Sequence, residues 1–367
     1  MKTQLQNVHN DHLSIATCRC VSKTWASILG RPDFTELFFS MALVRPKLLF
    51  VCQTDSKLVI FSSPQPQNPN ENSSLVSPSY HMSFSFNFGT SKICNHVNGL
   101  LCLKHLRNRK KSTVLEICNP STGQSLTLPK VNTSSVKPVR SYLGYDPVEK
   151  QYKVLSMSWS YVFEEHQVLT LGTGEPTWRR IECYRPHWSL HKAVCVNGIL
   201  YYIAAVNSFL TDSMVVCFDV RSEKFRFIQV AETFIRECFG TLVNYNRKLA
   251  TLVLGKFGFV RAREILELWV LEDADKHNYW SKHTYLSPAL WRNMEDEFDL
   301  RFCGVTQANE VVMSRSERQQ ARSVLYVFYY IERKTARRVQ IQGMETYVSK
   351  VIYIFPNHVE EVKLLQI

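Results

Sequence analysis

The chain has 367 residues, 45% of them hydrophobic and 12% aromatic, which is typical of a globular protein and argues against intrinsic disorder. It contains no run of 18 apolar residues and no charged segment leading into an apolar core at its start, so we predict an intracellular protein of the cytoplasm, the nucleus or both, neither secreted nor bound to a membrane. The formal net charge of +12 could attract nucleic acid or acidic partners, but no nucleic-acid-binding motif accompanies it, which argues against nucleic acid.

Helical spacing predicts a short α-helical segment near the N-terminus. Six apolar side chains recur there every three or four residues, namely Ile15, Cys18, Val21, Trp25, Ile28 and Leu29. Ser14 is predicted to cap this helix, and Gly30-Arg31-Pro32 to end it. A second short helix is predicted over Asp33–Met41.

Residues 62–80 differ in composition from their surroundings. They are rich in Pro, Ser and Asn, poor in apolar side chains, and show no periodicity. Such a composition predicts a flexible loop. Because β-type patterns flank it on both sides, we interpret it as an insertion within one structural repeat and not as a domain linker.

The stretch from Val97 to Leu128 predicts a small β-meander. The Asn98-Gly99 pair supplies the positive φ angles of a tight turn. The polar segment Asn119–Gln124 suits a loop between antiparallel strands. The predicted strands are Leu100–Leu103, Thr113–Cys118 and Ser125–Leu128.

The last part of this meander recurs along the chain. In each copy an apolar strand meets a polar or acidic residue, and another strand follows after a polar turn; the markers are Asn119, Thr170, Asp219, Glu272 and Glu332. Their intervals are 51, 49, 53 and 60 residues. A β unit repeated every 40 to 50 residues indicates a propeller blade, so we predict an all-β chain that forms a β-propeller of about six blades.

The sixth blade is predicted from both ends of the chain. Lys47–Phe61 and Met82–Phe88 would supply its first strands, and Val348–Phe355 would close it. Pairing the first strands with the last removes the exposed sheet edges. Two stacked β-sandwiches are the alternative fold, and only the regular period argues against them.

Two groups of motifs carry a family resemblance. CVSKTW at Cys20–Trp25, Ile28-Leu29 and RPDF at Arg31–Phe34 resemble the second half of a plant F-box. Downstream, NGLLCL, ICNPSTGQSLTLP, GYDPVEKQYKV, VNGILYYIA and CFDVRSEKFRFI are similar in order and spacing to the plant F-box-associated domain. The resemblance covers roughly residues 13 to 350.

The resemblance implies a fold and a partner. The fold is a kelch-like β-propeller over residues 46–367, preceded by a short α-helical F-box remnant in residues 1–45. In this family the F-box docks on the Skp-family adaptor of a cullin–RING ubiquitin ligase, and the associated domain holds the substrate. The residues that match the adaptor-binding part of the box are Leu13, Cys20, Val21, Trp25, Ile28, Pro32 and Phe34.

The first helix of the F-box is expected to be missing. Residues 1–12 contain no proline, no acidic pair and only Leu5 and Val8 as apolar anchors. Val21 and Trp25 then either dock on the adaptor or pack the remnant onto the propeller. The predicted function is substrate recognition for an SCF-type ligase; the alternatives are a protein-binding scaffold without a ligase, a decayed gene copy that cannot bind the adaptor, or a mis-assigned start.

No catalytic, metal or cofactor site is predicted. The family's receptors contribute no chemical group to ubiquitin transfer, and neither a GxSxG motif nor a complete phosphate loop around Gly172 and Gly174 is found. Cys94 and His96 are spaced as a ligand pair, but no second pair completes a zinc site. The substrate-binding residues stay unassigned.

Aromatic and sulfur-containing residues allow further expectations. The Tyr184–Trp188 loop could form part of a binding surface on a propeller face, although its tryptophan could equally pack in a blade. Most of the 11 cysteines stand singly within apolar strands, so we expect no disulfide framework.

Overall fold

A computed structural model describes most of the chain. The described residues are 18, 21–54, 57–65, 75–85, 91–107, 112–133, 139–159, 164–190, 192–206, 213–230, 241–255, 265–273, 279–286, 300–315, 324–330, 335–347, 351–363 and 365. They form two α-helices, a short 3-10 helix and 26 β-strands. The predicted all-β fold class with a short helical segment in front is confirmed.

The elements are numbered in chain order. The helices are α1 (Lys23–Leu29) and α2 (Pro32–Leu43), and the 3-10 helix covers Glu345–Tyr347. The strands of the first half are β1 (Lys47–Gln53), β2 (Lys57–Pro64), β3 (Leu75–Val76), β4 (Ser79–Ser85), β5 (Ser91–Val97), β6 (Leu100–Arg107), β7 (Ser112–Asn119), β8 (Gln124–Thr127), β9 (Arg140–Asp146), β10 (Gln151–Trp159), β11 (Glu164–Thr170), β12 (Arg179–Ile181) and β13 (Trp188–Ser189). Those of the second half are β14 (Val194–Val196), β15 (Ile199–Ala205), β16 (Ser213–Asp219), β17 (Phe225–Gln229), β18 (Thr241–Tyr245), β19 (Lys248–Gly255), β20 (Ile265–Asp273), β21 (Tyr279–Leu286), β22 (Leu300–Val305), β23 (Glu310–Arg315), β24 (Val324–Tyr330), β25 (Thr335–Ile341) and β26 (Val351–His358).

The described strands form six sheets, which are the blades of a propeller. Their innermost strands, β26, β5, β9, β14, β18 and β22, contact one another around the axis, and His96 of β5 meets Phe355 of β26. The turn markers Asn119, Thr170 and Asp219 each end the third strand of a blade, counted from the axis outward. The predicted propeller of about six blades, with a period near 50 residues, is therefore confirmed.

The ring is closed by strands from opposite ends of the chain. β26 pairs with β1 from Lys47 opposite His358 to Gln53 opposite Val351, and β1 continues into β2 and β4. The predicted closure by the segment from Val348 to Phe355 is confirmed, although Val348 itself lies outside the described residues. This pairing covers an edge that β1 would otherwise expose.

The insertion predicted over residues 62–80 is structured at both ends. β2 extends to Pro64, and β4 begins at Ser79. Between them β3 pairs in parallel with β25, where Leu75 lies opposite Gln340 and Val76 opposite Ile341. The prediction of a loop was wrong for these ends, because strand pairing overrides a polar composition. Residues 62–64 and 79–80 pair within the first blade, and β3 pairs with the outer edge of another blade. Residues 66–74 lie outside the described part of the chain.

The hydrophobic core lies between neighbouring blades. Leu115 of the second blade and Val154 of the third share one buried cluster, and Leu155 of the third blade shares another with Tyr202 of the fourth. Tyr202 and Phe218 are among the largest fully buried side chains. Each blade therefore covers the apolar faces of its neighbours, so that the blades stabilise one another around the ring.

Asparagine side chains connect neighbouring inner strands where no sheet hydrogen bonds can form. Asn95 of β5 donates from Nδ2 to the Leu143 carbonyl at 2.7 Å, and its Oδ1 accepts from the Leu143 N–H at 2.9 Å. Asn357 of β26 donates to the Val305 carbonyl of β22 at 2.7 Å. These side chains satisfy buried backbone groups and fix the axial position of one blade against the next.

The Asn98-Gly99 turn yields a stability prediction. Gly99 has φ +88°, and a Cβ built there would lie 2.5 Å from the Val359 carbonyl oxygen and 2.8 Å from Glu361 Cβ. We expect Gly99→Ala to lower the free energy of unfolding by about 2 kcal/mol or more, since the positive φ alone costs about 1 kcal/mol. Gly123, with φ +73° and open space around it, is the matched control, and Gly123→Ala should cost about 1 kcal/mol. Urea unfolding compares the two, and equal losses would contradict the role of the close contact.

Candidate functional site

The direction of the inner strands defines the two faces of the propeller. Contacts such as Asn95 with Leu143 and Asn357 with Val305 show that neighbouring inner strands run in the same direction. All of them therefore start at one face and end at the other, and all except β26 end in a tight turn. We call the face with these turns the helical face, because α2 contacts it, and the face where the inner strands start the mouth face.

Polar contacts of α2 attach the helix pair to the helical face. Lys150, in the turn after β9, forms an ion pair with Glu36 of α2 at 2.7 Å. Gln307, in the turn after β22, donates from Nε2 to the Leu43 carbonyl at 3.3 Å. Leu29 and Ala42 are the buried apolar residues of the two helices. The other large apolar side chains of the two helices are half-buried or exposed.

The exposed side of the helix pair is strongly apolar. Val21 is 67% exposed, Trp25 51%, Leu37 54% and Val44 69%, and Ile28 and Met41 are exposed as well. A large apolar patch at the surface of a chain is typical of a surface that contacts a partner. The alternative that Val21 and Trp25 pack the helices onto the propeller does not fit these exposures.

Five of the seven adaptor-contact residues predicted from the sequence lie in the described part of the chain, and they differ in exposure. Val21, Trp25, Ile28 and Pro32 lie on the exposed surface, and Phe34 is half-buried. The Phe34 ring stacks on Phe38 at a centroid distance of 6.2 Å. Leu13 and Cys20 lie outside the described residues. The role of all seven residues in adaptor contact stays a prediction.

The predicted continuous helix up to Gly30 is interrupted at Ser22. Ser22 has extended backbone angles, and its hydroxyl accepts from the Trp25 N–H at 3.1 Å, so it is the N-cap of α1. A serine that bonds the backbone three residues later favours a helix start over a helix interior. The second helix begins at Pro32 and ends at Leu43, close to its predicted bounds. Ser14 lies outside the described residues.

A cavity of about 490 Å³ occupies the axis of the ring. Five of the six inner strands or the residues just before them line it, from Lys192 and Arg301 near the mouth face to Asn98 and Asn357 near the helical face. Its wall is partly apolar, with Val194, Phe302 and Phe355 among the lining side chains, and among the described residues no carboxylate lines it.

Cations converge where this cavity opens. The Lys192 ammonium lies 4.6 Å from the centre of the Tyr353 ring, and the Arg301 guanidinium lies 5.5 Å from it. Arg301 also donates to the Ser314 hydroxyl at 3.2 Å and to the Ile352 carbonyl. These contacts fix the guanidinium next to Tyr353 at the rim of the cavity.

Further cations extend this group around the rim. Burial lowers the pKa of Lys104, whose ammonium donates to the Val139 carbonyl at 3.1 Å, and the charges of Arg140 and Lys92 lower it further against the opposing effect of Cys94. A hydrogen bond with Cys102 lowers the pKa of Cys94, and Lys104, Arg140 and Lys192 add to this effect against burial. The charge of Arg140 affects both Lys104 and Cys94, which links Lys92 on one side to Lys192 on the other. We call Lys92, Arg140, Lys192 and Arg301, which lie at or just before the starts of four inner strands, the cationic mouth.

The cationic mouth was not predicted from the sequence, although the repeat contains a signal for it. Lys92, Arg140, Lys192, Thr241 and Arg301 occupy equivalent positions at the start of five inner strands. Their intervals are 48, 52, 49 and 60 residues, which follow the blade period. Aligning the repeats on their inner strands would have shown a basic residue in four of five copies.

A second group of titratable residues lies inside the propeller. Ring nitrogens of His166 and His187 and the Cys183 sulfur all lie within 4.8 Å of one another. His187 bonds through Nδ1 to the Arg185 carbonyl at 2.9 Å and through Nε2 to the Tyr202 hydroxyl at 2.7 Å. A metal ion on His187 would have to take the place of the proton in one of these bonds. Cys94 and His96, the pair noted in the sequence, contact Cys102 and His358 respectively.

The Tyr184–Trp188 loop has one exposed and one half-buried aromatic side chain. Tyr184 is 78% exposed, and its ring meets the edge of Phe227 at a centroid distance of 5.0 Å. Trp188 begins β13 and is half-buried. The loop therefore runs along the fourth blade from the outer strand β17, at Tyr184, to the inner side of β15, at Trp188, and none of its residues lines the axial cavity.

The closed ring, with an apolar helix pair on one face and a cationic mouth on the other, defines a β-propeller with two chemically distinct exposed surfaces. The sequence profile of the F-box associated beta propeller domain matches residues 47–359. F-box protein DOR of Arabidopsis thaliana is 48% identical over 358 residues, which cover 96% of this chain and 90% of that protein. Another Arabidopsis thaliana F-box protein is 51% identical over 354 residues, which cover 96% of this chain and 86% of its own length. The chain belongs to the plant F-box proteins with an F-box-associated β-propeller domain.

Comparison with solved structures gives only a distant likeness. The propeller domain of the Trilobed protease from Pyrococcus furiosus aligns with 75% of this chain and 96% of its own length, at 8% identity and a TM-score of 0.40. Among the described residues, no helix combines the length and apolar character that a membrane crossing requires.

Proposed function

We propose that this chain is a substrate-recognition subunit of an SCF-type cullin–RING ubiquitin ligase. The observation that carries the proposal is the exposed apolar side of the helix pair, at Val21, Trp25, Leu37 and Val44, in a chain of the F-box family. This surface would contact the Skp-family adaptor, and the propeller would hold the target protein. Catalysis would follow from raising the local concentration of substrate near the ubiquitin-carrying subunit, with no catalytic group from this chain.

The proposed function implies a location inside the cell. Ubiquitin ligases of this class work inside the cell, and we place the receptor in the cytoplasm, the nucleus or both. The nine cysteines of the described residues are free thiols. Free thiols in buried strands are typical of a reducing compartment.

Adaptor binding tests the proposal directly. Trp25 is the largest exposed apolar side chain on the helix pair, so Trp25→Ala should weaken adaptor binding by about 2 kcal/mol, roughly 30-fold. Tyr279, an aromatic residue 61% exposed on the propeller, provides the control Tyr279→Ala, which should leave binding unchanged. Pull-down and titration calorimetry with a purified plant adaptor measure both variants.

A grafted chain separates the two remaining interpretations. Adding a complete F-box helix in front of residue 13 should strengthen adaptor binding without altering the propeller. If the native chain fails to bind and only the grafted chain binds, the native chain is a protein-binding scaffold without a ligase. If Trp25→Ala binds as tightly as the native chain, the helix pair is not the adaptor surface.

A further inference from the structure

We propose that His166, Cys183 and His187 bind a zinc ion between the third and fourth blades. His166 lies in β11 of the third blade, Cys183 follows β12 of the same blade, and His187 directly precedes β13 of the fourth. The ion would therefore join two neighbouring blades. None of the three residues lines the axial cavity, and the proposal does not rest on the proposed function.

The spacing of the donor atoms is the first argument. Cys183 Sγ lies 3.8 Å from His187 Nδ1, and a ring nitrogen of His166 completes a set whose members all lie within 4.8 Å of one another. Zinc bonds of about 2.3 Å to sulfur and about 2.0 Å to nitrogen place two such ligands about 3.5 to 3.8 Å apart. The Cys183 and His187 atoms already have this separation, and His166 needs a shift of about 1 Å or less to reach it.

The state of His166 is the second argument. Its side chain is only 5% exposed, and within the described part of the chain its Nε2 has no hydrogen-bond partner. A buried polar atom without a partner is unfavourable, and a bond to a metal ion would remove this cost. Burial lowers the pKa of His166 to about 3, and repulsion from His187 adds to the effect. The ring is therefore neutral at pH 7, which is the form of imidazole that binds zinc.

The hydrogen bonds of His187 show how the ring would adapt to the ion. Nδ1 donates to the Arg185 carbonyl at 2.9 Å, and Nε2 lies 2.7 Å from the Tyr202 hydroxyl. Zinc would replace the proton on Nδ1, and that proton would move to Nε2 and be donated to Tyr202. Such a bond on the second nitrogen orients most zinc-bound histidines. The Cys183 thiol would lose its proton to water, so each bound ion releases one proton.

The Arg185 carbonyl oxygen can occupy the fourth position of a tetrahedral site. It lies 2.9 Å from His187 Nδ1 and 3.3 Å from Cys183 Sγ, and is therefore next to two of the three side-chain donors. Two nitrogens, one sulfur and one oxygen form a mixed set in which the soft donors predominate. Such a set favours zinc over magnesium or calcium, which prefer oxygen ligands.

Aromatic rings from the fourth blade surround the two histidines. The Phe225 ring meets His166 at a centroid distance of 5.2 Å and His187 at 6.0 Å, and Phe227 meets His187 at 5.5 Å. An apolar shell of this kind keeps water away from the ion and strengthens its bonds to thiolate and imidazole.

The ion would also fix an exposed loop. Cys183 and His187 are four positions apart and flank Tyr184, which is 78% exposed and packs against Phe227 at 5.0 Å. With both flanking residues bound to one ion, the loop would lose much of its freedom to move. Zinc binding should therefore slow amide hydrogen exchange in residues 183–187.

Zinc titration of the full-length chain tests the proposal. The chain is produced without a histidine tag, freed of metal with a chelator, and titrated with zinc against a chromophoric competitor. We expect one zinc ion per chain. Loss of a residue that only orients a ligand weakens metal binding about 10- to 100-fold, so loss of a ligand in Cys183→Ser should weaken it by about 100-fold or more. The control Cys303→Ser removes another half-buried thiol, in the sixth blade, and should bind zinc like the native chain.

Two further measurements separate loss of a ligand from loss of the fold. His166→Phe keeps a ring against Phe225 and removes one donor, so it should fold like the metal-free native chain and bind zinc far more weakly. Cobalt(II) then replaces zinc as a spectroscopic probe. The native chain and Cys303→Ser should show a thiolate-to-cobalt charge-transfer band, and Cys183→Ser should show none. Zinc should raise the midpoint of thermal unfolding of the native chain and leave that of Cys183→Ser unchanged.

Two results would overturn the proposal. Equal zinc affinity of the native chain and Cys183→Ser would show that zinc binds elsewhere or only at scattered surface histidines. A cobalt complex without a thiolate band would exclude Cys183 as a ligand. Trp25→Ala should bind zinc as the native chain does, and Cys183→Ser should bind the adaptor as the native chain does. The zinc site and the proposed function can therefore fail independently of each other.

Discussion

Acidification from pH 7 to pH 5 should lower the free energy of unfolding by about 2 kcal/mol for each histidine that is kept neutral inside the propeller. Burial lowers the pKa of His96 to about 4 and that of His166 to about 3. Burial, with added repulsion from His96, holds the pKa of His358 well below its ordinary value. His96 Nε2 lies 3.0 Å from His358 Nδ1, so these two rings share a hydrogen bond that a second proton would break.

The direction of this effect follows from proton binding. An unfolded chain protonates its histidines below about pH 6.5, whereas the folded chain leaves these three neutral until a much lower pH. The stability is therefore fully present above pH 6.5 and is lost as the pH falls toward the folded-state pKa values. A total loss of about 4 to 6 kcal/mol would be comparable with the whole stability of many domains.

The variant His166→Phe isolates one of these contributions. His166 Nε2 is buried without a hydrogen-bond partner, and its ring lies against Phe225, so phenylalanine should fit there. At pH 7 its stability should change by about 1 kcal/mol or less, and on acidification it should lose about 2 kcal/mol less than the native chain. The control His283→Gln removes an exposed histidine and should follow the native curve. Urea unfolding at pH 7, 6 and 5 measures all three chains, and parallel curves for His166→Phe and the native chain would refute the assignment.

Replacing Asn95 by leucine should lower the free energy of unfolding by about 3 to 4 kcal/mol, since each buried backbone group left without a partner costs about 1 to 3 kcal/mol. Asn95 is 4% exposed and bonds both the N–H and the carbonyl of Leu143. Leucine has a similar size but neither donor nor acceptor. The second and third blades would keep their apolar contacts and lose the polar link between their inner strands.

An exposed asparagine provides the comparison for this variant. Asn197 donates to the Arg247 carbonyl at 2.7 Å, between the fourth and fifth blades, but is exposed to solvent. It has φ +49°, so Asn197→Gly removes the side chain without backbone strain, and its cost should stay within about 1 kcal/mol because water can replace the bond. Chemical denaturation followed by tryptophan fluorescence distinguishes the two variants. A loss of similar size for both would show that the Asn95 bonds do not hold the blades together.

Much of the fold could be predicted because blade structure is encoded locally. Strand and turn signals depend on residues close together in the chain, such as Asn98-Gly99, whose φ angles of +42° and +88° match the predicted turn. The regular spacing of the Asn119, Thr170 and Asp219 turns then fixed the repeat length and with it the number of blades. Errors arose where long-range contacts overrode local composition, as when Leu75 and Val76 formed an edge strand of another blade.

The sequence by itself determined the family, the propeller and the presence of an apolar helical segment, because these depend on periodic patterns and on motifs contiguous in the chain. Only the tertiary structure decided that Trp25 is exposed and not packed on the propeller, and that Lys192 and Arg301 lie over the same tyrosine ring. Ring closure is the physical reason. It brings residues about 50 positions apart to a common axis, and no local pattern records which of their side chains then face one another.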